Sequence, residues 1–377
     1  MSDAGRQQVV LVSEHDFRTA RRANFQPIAD ALVRLGYAVT FISVRFSVLS
    51  MLTGDTRSSL WAKSNAPEFC EGVRCYLWRT AIHPFTVKRS RVLNRLTGPL
   101  YSLYCRYPDR FIDEAVRAAS YIVVESGLGA ILLPRLRSLN RTAKLVYYAS
   151  DNLDMIGTHP IVQHSLERCG SIVDHVCLAS ARMGPRFGWA AGRAYVVPHG
   201  IDPDDFSGDP PNPYRTELNA VSVGSGLFDP WFFVCAAPIF SDIDFHVIGA
   251  GTRFPAAPNV HCYDQMRYKD IVPFIKHASF GIAPYRCAAG SEAVCDTSMK
   301  LMHYEYLGLP AVCTDFAVGS STSRFGYARG DALSVRSAVA KALQARRRIT
   351  PNRRFPTWTE VARRVLRPEL FADTRLN

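Results

Sequence analysis

From Gly281 to Cys313 the chain reads GIAPYRCAAGSEAVCDTSMKLMHYEYLGLPAVC. An apolar strand is followed by a polar loop, a helix opening at Asp296, Thr297 and Ser298, and, past Gly308 and Pro310, a second apolar strand. This pattern constrains the fold more than any other feature, because two strands joined by a helix lie parallel and a parallel sheet needs both faces covered. A helix that opens on small hydroxyl side chains just past a strand end presents free backbone N–H groups and a positive dipole end, which suit an anion. Lys300, in the first turn, adds a full charge. An ordinary capped helix of an α/β domain has the same local pattern, so spacing alone leaves the two readings even.

The same grammar opens the chain. QQVVLVSEHDF (7–17) reads as a buried strand, Asn24 to Leu35 as a helix closed by Gly36, and YAVTFISV (37–44) as a second strand. The intervening loop has no GxGxxG fingerprint and offers instead His15, Arg18, Arg21 and Arg22. Guanidinium groups at a strand's carboxyl end bind phosphate or carboxylate bidentately, so these four are candidate anion or acceptor contacts; the alternative is a solvated basic helix start. Two further strands end in acids: AASYIVVESG in Glu125 and AKLVYYASDN in Asp151. Ligands of open parallel sheets bind beyond the carboxyl ends of the strands, so both carboxylates are candidates for proton chemistry, and the residues alone leave the two even. HVCLAS (175–180) and AYVVPHGID (194–202) continue the pattern, and the proline- and aspartate-rich 203–214 reads as a linker.

Past the linker the pattern restarts with LNAVSVGSG (218–226), DFHVIGAG (244–251), VHCYD (260–264), FGIAPY (280–285) and LPAVCTD (309–315). The expected fold class is therefore α/β with two Rossmann-like parallel-sheet domains. They span 1–205 and 217–355, with a hinge at 206–216 and a C-terminal helix in 356–377 that returns to the first domain.

Charge separates the halves. Of the net +12, residues 1–200 carry 25 Lys+Arg against 15 Asp+Glu, whereas 201–377 carry 20 against 18. The first half must face something negative: nucleic acid, anionic lipid or a phosphorylated substrate. Between 85 and 110, Lys88, Arg89, Arg91 and Arg95 are interleaved with apolar and aromatic residues, the composition of a peripheral helix on an anionic membrane or of an amphipathic core helix. Nucleic acid is not expected, because no recognised nucleic-acid motif accompanies the stretch. No apolar run reaches membrane-spanning length and the N-terminus lacks a signal peptide's pattern, so a cytosolic location is expected. The ten cysteines form no CxxC pair and read as reduced core thiols.

Two Rossmann-like domains, a hinge and a phosphate-suited helix together resemble the GT-B glycosyltransferases. VPHGIDPDDF is similar to that family's domain crossing, and KLMHYEYLGLPAV to its nucleotide-sugar helix. HDFRTARRAN, YLWRTAIHPF, ESG, KLVYYASD, FDPWFFV, HVIGAG, IKHASFGIAPY, TSMKL, GLPAVC and SRFGY narrow the resemblance to the GumK family, the membrane-associated β-1,2-glucuronosyltransferases of xanthan synthesis. The resemblance implies two domains facing a deep cleft and an inverting, metal-independent transfer of glucuronic acid. The donor is UDP-glucuronate and the acceptor a mannose of a polyprenyl-diphosphate-linked oligosaccharide, at the cytoplasmic face of the bacterial inner membrane. It makes Asp151 the general base, with Glu125 as the second candidate.

The same resemblance places UDP at Tyr285, Ser298, Met299 and Lys300. His303 stands where many GT-B enzymes hold the ribose with glutamate, and Gln265 and Gly226 stand where relatives put glutamate and methionine near the uracil. Gly224, Ser225 and Gly226 approach the nucleotide through backbone. Two DxD spellings, Asp202-Pro-Asp204 and Asp242-Ile-Asp244, lie away from the diphosphate helix, so no metal or other cofactor is expected. A cation near the sugar's C6 is required for glucuronate, from Arg18, Arg21, Arg22 or Lys300. Alternatives are another UDP-sugar donor, a UDP-sugar epimerase of the same fold, and a basic scaffold that binds membrane or nucleic acid.

Overall fold

The computed structural model describes residues 5–19, 23–86, 91–252, 257–346 and 348–376, and leaves the side chains of 91–93 undescribed. The chain forms two units, Met1–Gly200 with Trp358–Asn377, and Ile201–Thr357.

The first unit is built on eight strands: β1 (Gln8–Ser13), β2 (Ala38–Phe46), β3 (Glu68–Cys70), β4 (Val73–Arg79), β5 (Tyr121–Glu125), β6 (Lys144–Ala149), β7 (His175–Leu178) and β8 (Ala194–Val196). Their order is β3-β4-β2-β1-β5-β6-β7-β8, parallel throughout except for the β3–β4 hairpin. β1 and β5 are buried over nearly their whole length, as Val- and Ile-rich strands of a parallel sheet covered on both faces must be. The helix Phe25–Arg34 lays Phe25, Ile28, Ala29 and Leu32 onto the sheet and packs beside the C-terminal helix Trp358–Leu366. That last helix buries Trp358, Val361, Ala362, Val365 and Leu366, so the end of the chain completes the first unit. The strand order reverses between β1 and β5, which places the switch point, and the default ligand position, at Ser13–Glu14 and Glu125–Ser126.

The second unit has six parallel strands: β9 (Asn219–Val223), β10 (Asp244–Ile248), β11 (Val260–Tyr263), β12 (Phe280–Ala283), β13 (Ala311–Thr314) and β14 (Arg324–Tyr327). They run in the order β11-β10-β9-β12-β13-β14. Phe228, Phe232, Phe233, Phe245, Phe280 and Tyr327 dominate its core. Here the switch falls between β9 and β12, at Gly224 and Pro284. Gly281 is required in β12: a Cβ there would come within 2.3 Å of the Tyr304 ring. The bare glycine lets the Tyr304 ring approach β12, and the Tyr304 hydroxyl donates to the Val221 carbonyl at 3.1 Å, which seats the helix Met299–Leu307.

The expected domain limits need correction. The segment 206–216 is no free hinge. Phe206 is buried with Val272, Met302 and Tyr306. Tyr214 donates to the Phe274 carbonyl at 2.5 Å, and His277 Nε2 donates to the Pro210 carbonyl at 2.7 Å. Proline removes N–H donors but leaves carbonyls and aromatic anchors, and these bind the segment to the second unit. The boundaries fall instead at Gly200/Ile201 and Thr357/Trp358, where the Ile201 amide donates to the Pro356 carbonyl at 2.9 Å.

Candidate active site

In the first unit the carboxyl ends of β1, β5 and β6 bring together three serines and their neighbouring acids. Val12 is in register with Val124, so Ser13 falls beside Glu125. The Ser13 hydroxyl donates to Glu125 Oε2, and Ser150 Oγ donates to Oε1 at 3.2 Å. Ser150 and Ser126 share a hydrogen bond of 2.9 Å, and the Asp151 amide donates to Ser126 Oγ at 3.1 Å. Asp151 itself is half-buried, whereas Glu125 is 5% exposed. Burial, reinforced by the charge of Asp151, pushes the Glu125 carboxyl up to about 8. Asp151 is thus the more accessible of the two candidate bases. Glu14, one residue past β1, receives the Leu128 amide at 2.5 Å and Arg45 Nη1 at 2.8 Å, and these partners hold its carboxyl below the usual range against its burial.

Of the expected anion contacts in the β1 loop, Arg18 needs correction. Its Nε and Nη2 donate to Asp16 at 2.9 Å each and its Nη1 to Glu68 at 2.9 Å, with the side chain 5% exposed. The guanidinium is a strut that ties the loop to the β3 edge through two carboxylates. The half-buried His15 gives its amide to Ser13 Oγ at 3.0 Å. Arg21, Arg22, Lys88 and Arg89 lie outside the described residues, as does the side chain of Arg91. Arg95 is exposed on the helix Arg91–Arg106.

In the second unit the loops after β9 and β12 are zipped together. The Asp229 amide donates to the Pro284 carbonyl at 2.8 Å and the Arg286 amide to the Leu227 carbonyl at 2.7 Å. Gly224 turns the chain with φ of 80°, so Ser225 and Gly226 follow at once. Gln265 lies against Gly249, where a Cβ would sit 3.2 Å from its Oε1. Tyr285 is buried and its hydroxyl is hydrogen-bonded to Ser298 Oγ.

The helix start differs from expectation. A short turn, Val294–Thr297, ends where Ser298 becomes extended, and Ser298 alone caps Met299–Leu307 by accepting the Leu301 amide at 3.3 Å. Lys300 Nζ is sealed from solvent and has no hydrogen-bond partner among the described residues. It stands 5.1 Å from the centroid of the Tyr285 ring, and burial alone drives its pKa down to about 7. A buried cation without a counter-ion is unfavourable by several kcal/mol unless an anion arrives to pair with it.

His303, expected beside the ribose, is packed instead against Phe206 and Tyr268, at ring distances of 5.3 and 5.4 Å. Its Nδ1 is 3.2 Å from the Tyr268 hydroxyl, and burial drives its pKa down to about 4. This neutral, enclosed imidazole is part of the packing, and Met299 packs against the same cluster. Glu305 accepts Arg324 Nη2 at 3.0 Å and Asn352 Nδ2 at 2.9 Å, a structural role.

Neither DxD spelling lies at these loops. Asp202 caps the turn Pro203–Phe206 through the Asp204 amide at 3.2 Å. Asp244 opens β10 at the amino edge of the sheet, with atoms of His246 and His261 within 4.8 Å. His261 and Thr216 already bind Asp244 at 3.0 and 2.6 Å, and His246 is held by Tyr263 and Asn219 at 3.0 and 3.1 Å. The two imidazoles stack with an interplanar angle of 29°. All three side chains are thus already engaged in hydrogen bonds.

The model of the glucuronosyltransferase GumK N-terminal domain matches residues 11–179. A UDP-glucuronate:glycolipid 2-beta-glucuronosyltransferase of Xanthomonas campestris pv. campestris is 40% identical over 370 residues, covering 97% of this chain and 91% of that protein. The chain belongs to the GumK glucuronosyltransferase family. Among solved structures, the sucrose-phosphate synthase of Thermosynechococcus elongatus superposes with a TM-score of 0.66 at 14% identity, covering 97% of this chain and all of that one. The trehalose-6-phosphate synthase OtsA gives 0.59 at 11% identity, with 96% of both chains covered. These likenesses show the GT-B fold. In this GumK-family member the hydroxyls of Ser13, Ser126 and Ser150 join Glu125 to the backbone of Asp151, a connection that sequence reasoning missed. Their signal was present: each sits beside an acid at a strand's carboxyl end, as Ser-Glu, Glu-Ser and Ser-Asp.

Proposed function

We propose that this protein transfers a glucuronosyl group from UDP-glucuronate to a sugar hydroxyl of a membrane glycolipid, with inversion and without a metal. The observation that carries the reading is the sealed Lys300 amine beside Tyr285, without a hydrogen-bond partner among the described residues, in a chain matching a glucuronosyltransferase over nearly its whole length. Asp151 takes the proton of the attacking hydroxyl as its oxygen bonds to the anomeric carbon. The bond from that carbon to the UDP oxygen breaks, and Lys300 with the helix amides neutralises the leaving diphosphate. The acceptor in this reading is a mannose of a polyprenyl-diphosphate-linked oligosaccharide. With Arg18 held by two carboxylates, the cation for the glucuronate carboxylate comes from Arg21, Arg22 or Lys300.

Peripheral attachment to the cytoplasmic face of the inner membrane fits the outer face of the helix Arg91–Arg106. Thr97, Tyr101 and Tyr104 point inward, whereas Arg95, Leu96, Leu103 and Arg106 are exposed. Val48, Met51 and Leu52 of the short helix Val48–Leu52 are exposed as well.

The test is a panel of UDP-sugars incubated with membrane glycolipid extract. Release of UDP matched by glucuronic acid in the lipid fraction, with UDP-glucuronate alone, supports the proposal. Conversion of a UDP-sugar without acceptor would favour the epimerase, and transfer from UDP-glucose at an equal rate would remove the donor assignment.

A further inference from the structure

We propose that Glu125 works as an un-ionised carboxylic acid that positions Asp151 through the hydroxyls of Ser150 and Ser126. The inference rests on Asp151 being the base. Its ground is the contrast between Glu125 and the other acids at the carboxyl edge of the sheet. Glu14 has Arg45 and a backbone amide, and Asp16 has Arg18 and Ser43. Glu125 is buried, yet among the described residues its hydrogen-bond partners are the hydroxyls of Ser13 and Ser150. A carboxylate enclosed without a cation is more cheaply kept neutral than charged. The ionisable groups around it point the same way. Asp151 at the end of β6 and Glu14 past β1 both oppose a negative charge, Arg45 is engaged by Glu14, and the neighbouring Tyr147 and Tyr148 phenols are neutral.

The hydrogen bonds have a direction that gives Glu125 its role. The Asp151 amide donates to Ser126 and Ser150 donates to Glu125 Oε1; with the Ser150 hydrogen spent on Glu125, the bond between the two serines takes its hydrogen from Ser126. When Glu125 is protonated the bond to Ser13 runs the other way, Oε2 donating to Ser13 Oγ, which also receives the His15 amide. The chain ends on a group that need not ionise, so the backbone of Asp151 is fixed while Asp151 remains the carboxylate of the pair. Gln in place of Glu keeps this termination, and Ala removes it.

Two measurements test the proposal. In the ligand-free protein with 13C-labelled glutamate, the carboxyl resonance absent from Glu125→Gln should titrate near pH 8; titration below pH 6 would overturn the proposal. In transfer assays, Glu125→Ala should lose about tenfold to 100-fold in kcat with little change in KM for UDP-glucuronate, as expected for a misplaced base. Glu125→Gln should recover most of that loss, with the acidic limb of its pH profile unmoved. A Gln variant as impaired as Ala, or an acidic limb shifted down by a unit through loss of a negative neighbour, would overturn it. If the parent protein transferred no glucuronate, the functional reading would fail while the resonance still reported on Glu125.

Discussion

Replacing Lys300 with methionine separates stability from binding. In the ligand-free protein burial lowers the Lys300 pKa from 10.5 to about 7, which at ~1.4 kcal/mol per unit is a penalty of about 4–5 kcal/mol as a ceiling. The sign follows from the direction of the shift. The penalty is absent above the unfolded value, grows as pH falls through the window from 10.5 to 7, and is complete below about 7. Lys300→Met keeps the stem and removes the charge, so the ligand-free variant should melt higher than the parent, most clearly at pH 7 and below. UDP should behave oppositely. Loss of a desolvated charge partner costs about 2–5 kcal/mol, so the Kd should rise by about 30-fold or more. Because the anion selects the protonated amine, UDP affinity of the parent should fall by up to about tenfold per pH unit above 7, whereas the variant should be nearly flat. Scanning fluorimetry and calorimetric titration with UDP between pH 6.5 and 8.5 read both effects. A parent affinity independent of pH, or a methionine variant that binds UDP within twofold of the parent, would refute the diphosphate role.

Activity should survive EDTA; activity lost to the chelator and restored by Mn2+ or Mg2+ would reopen the metal question. Leu96→Glu with Leu103→Glu should weaken cosedimentation with anionic vesicles while leaving UDP affinity intact, and unchanged vesicle binding would remove this face from the membrane reading. Glu305→Ala leaves Arg324 buried without its acid and should destabilise the protein by about 3–5 kcal/mol in denaturant titrations. At low temperature the variant should still bind UDP, and selective loss of binding would move Glu305 from structure to site.

The regular part of this architecture was legible because parallel strands are buried on both faces and read as short Val- and Ile-rich runs closed by glycine or an acid. The three-residue β3 and four-residue β14 were not, since RFGY and EFC are too short to show a period. The linker was misjudged because proline content reports missing N–H groups and says nothing about where Phe206 and Tyr214 are buried. Asp151 and Lys300 stand where the sequence put them, after β6 and in the first turn of the helix Met299–Leu307. The commitments of Arg18 and His303 were not legible: one depends on Glu68, fifty residues away, and the other on Phe206 and Tyr268 across the unit. Polar pairing across such distances in sequence leaves no local signature.

The most direct test of the account is the transfer of labelled glucuronic acid from UDP-glucuronate into extractable glycolipid by the parent and by Asp151→Asn. The account predicts label in the lipid fraction for the parent, none for the variant, and equal UDP affinity in both. Transfer by Asp151→Asn at the parent's rate would contradict it.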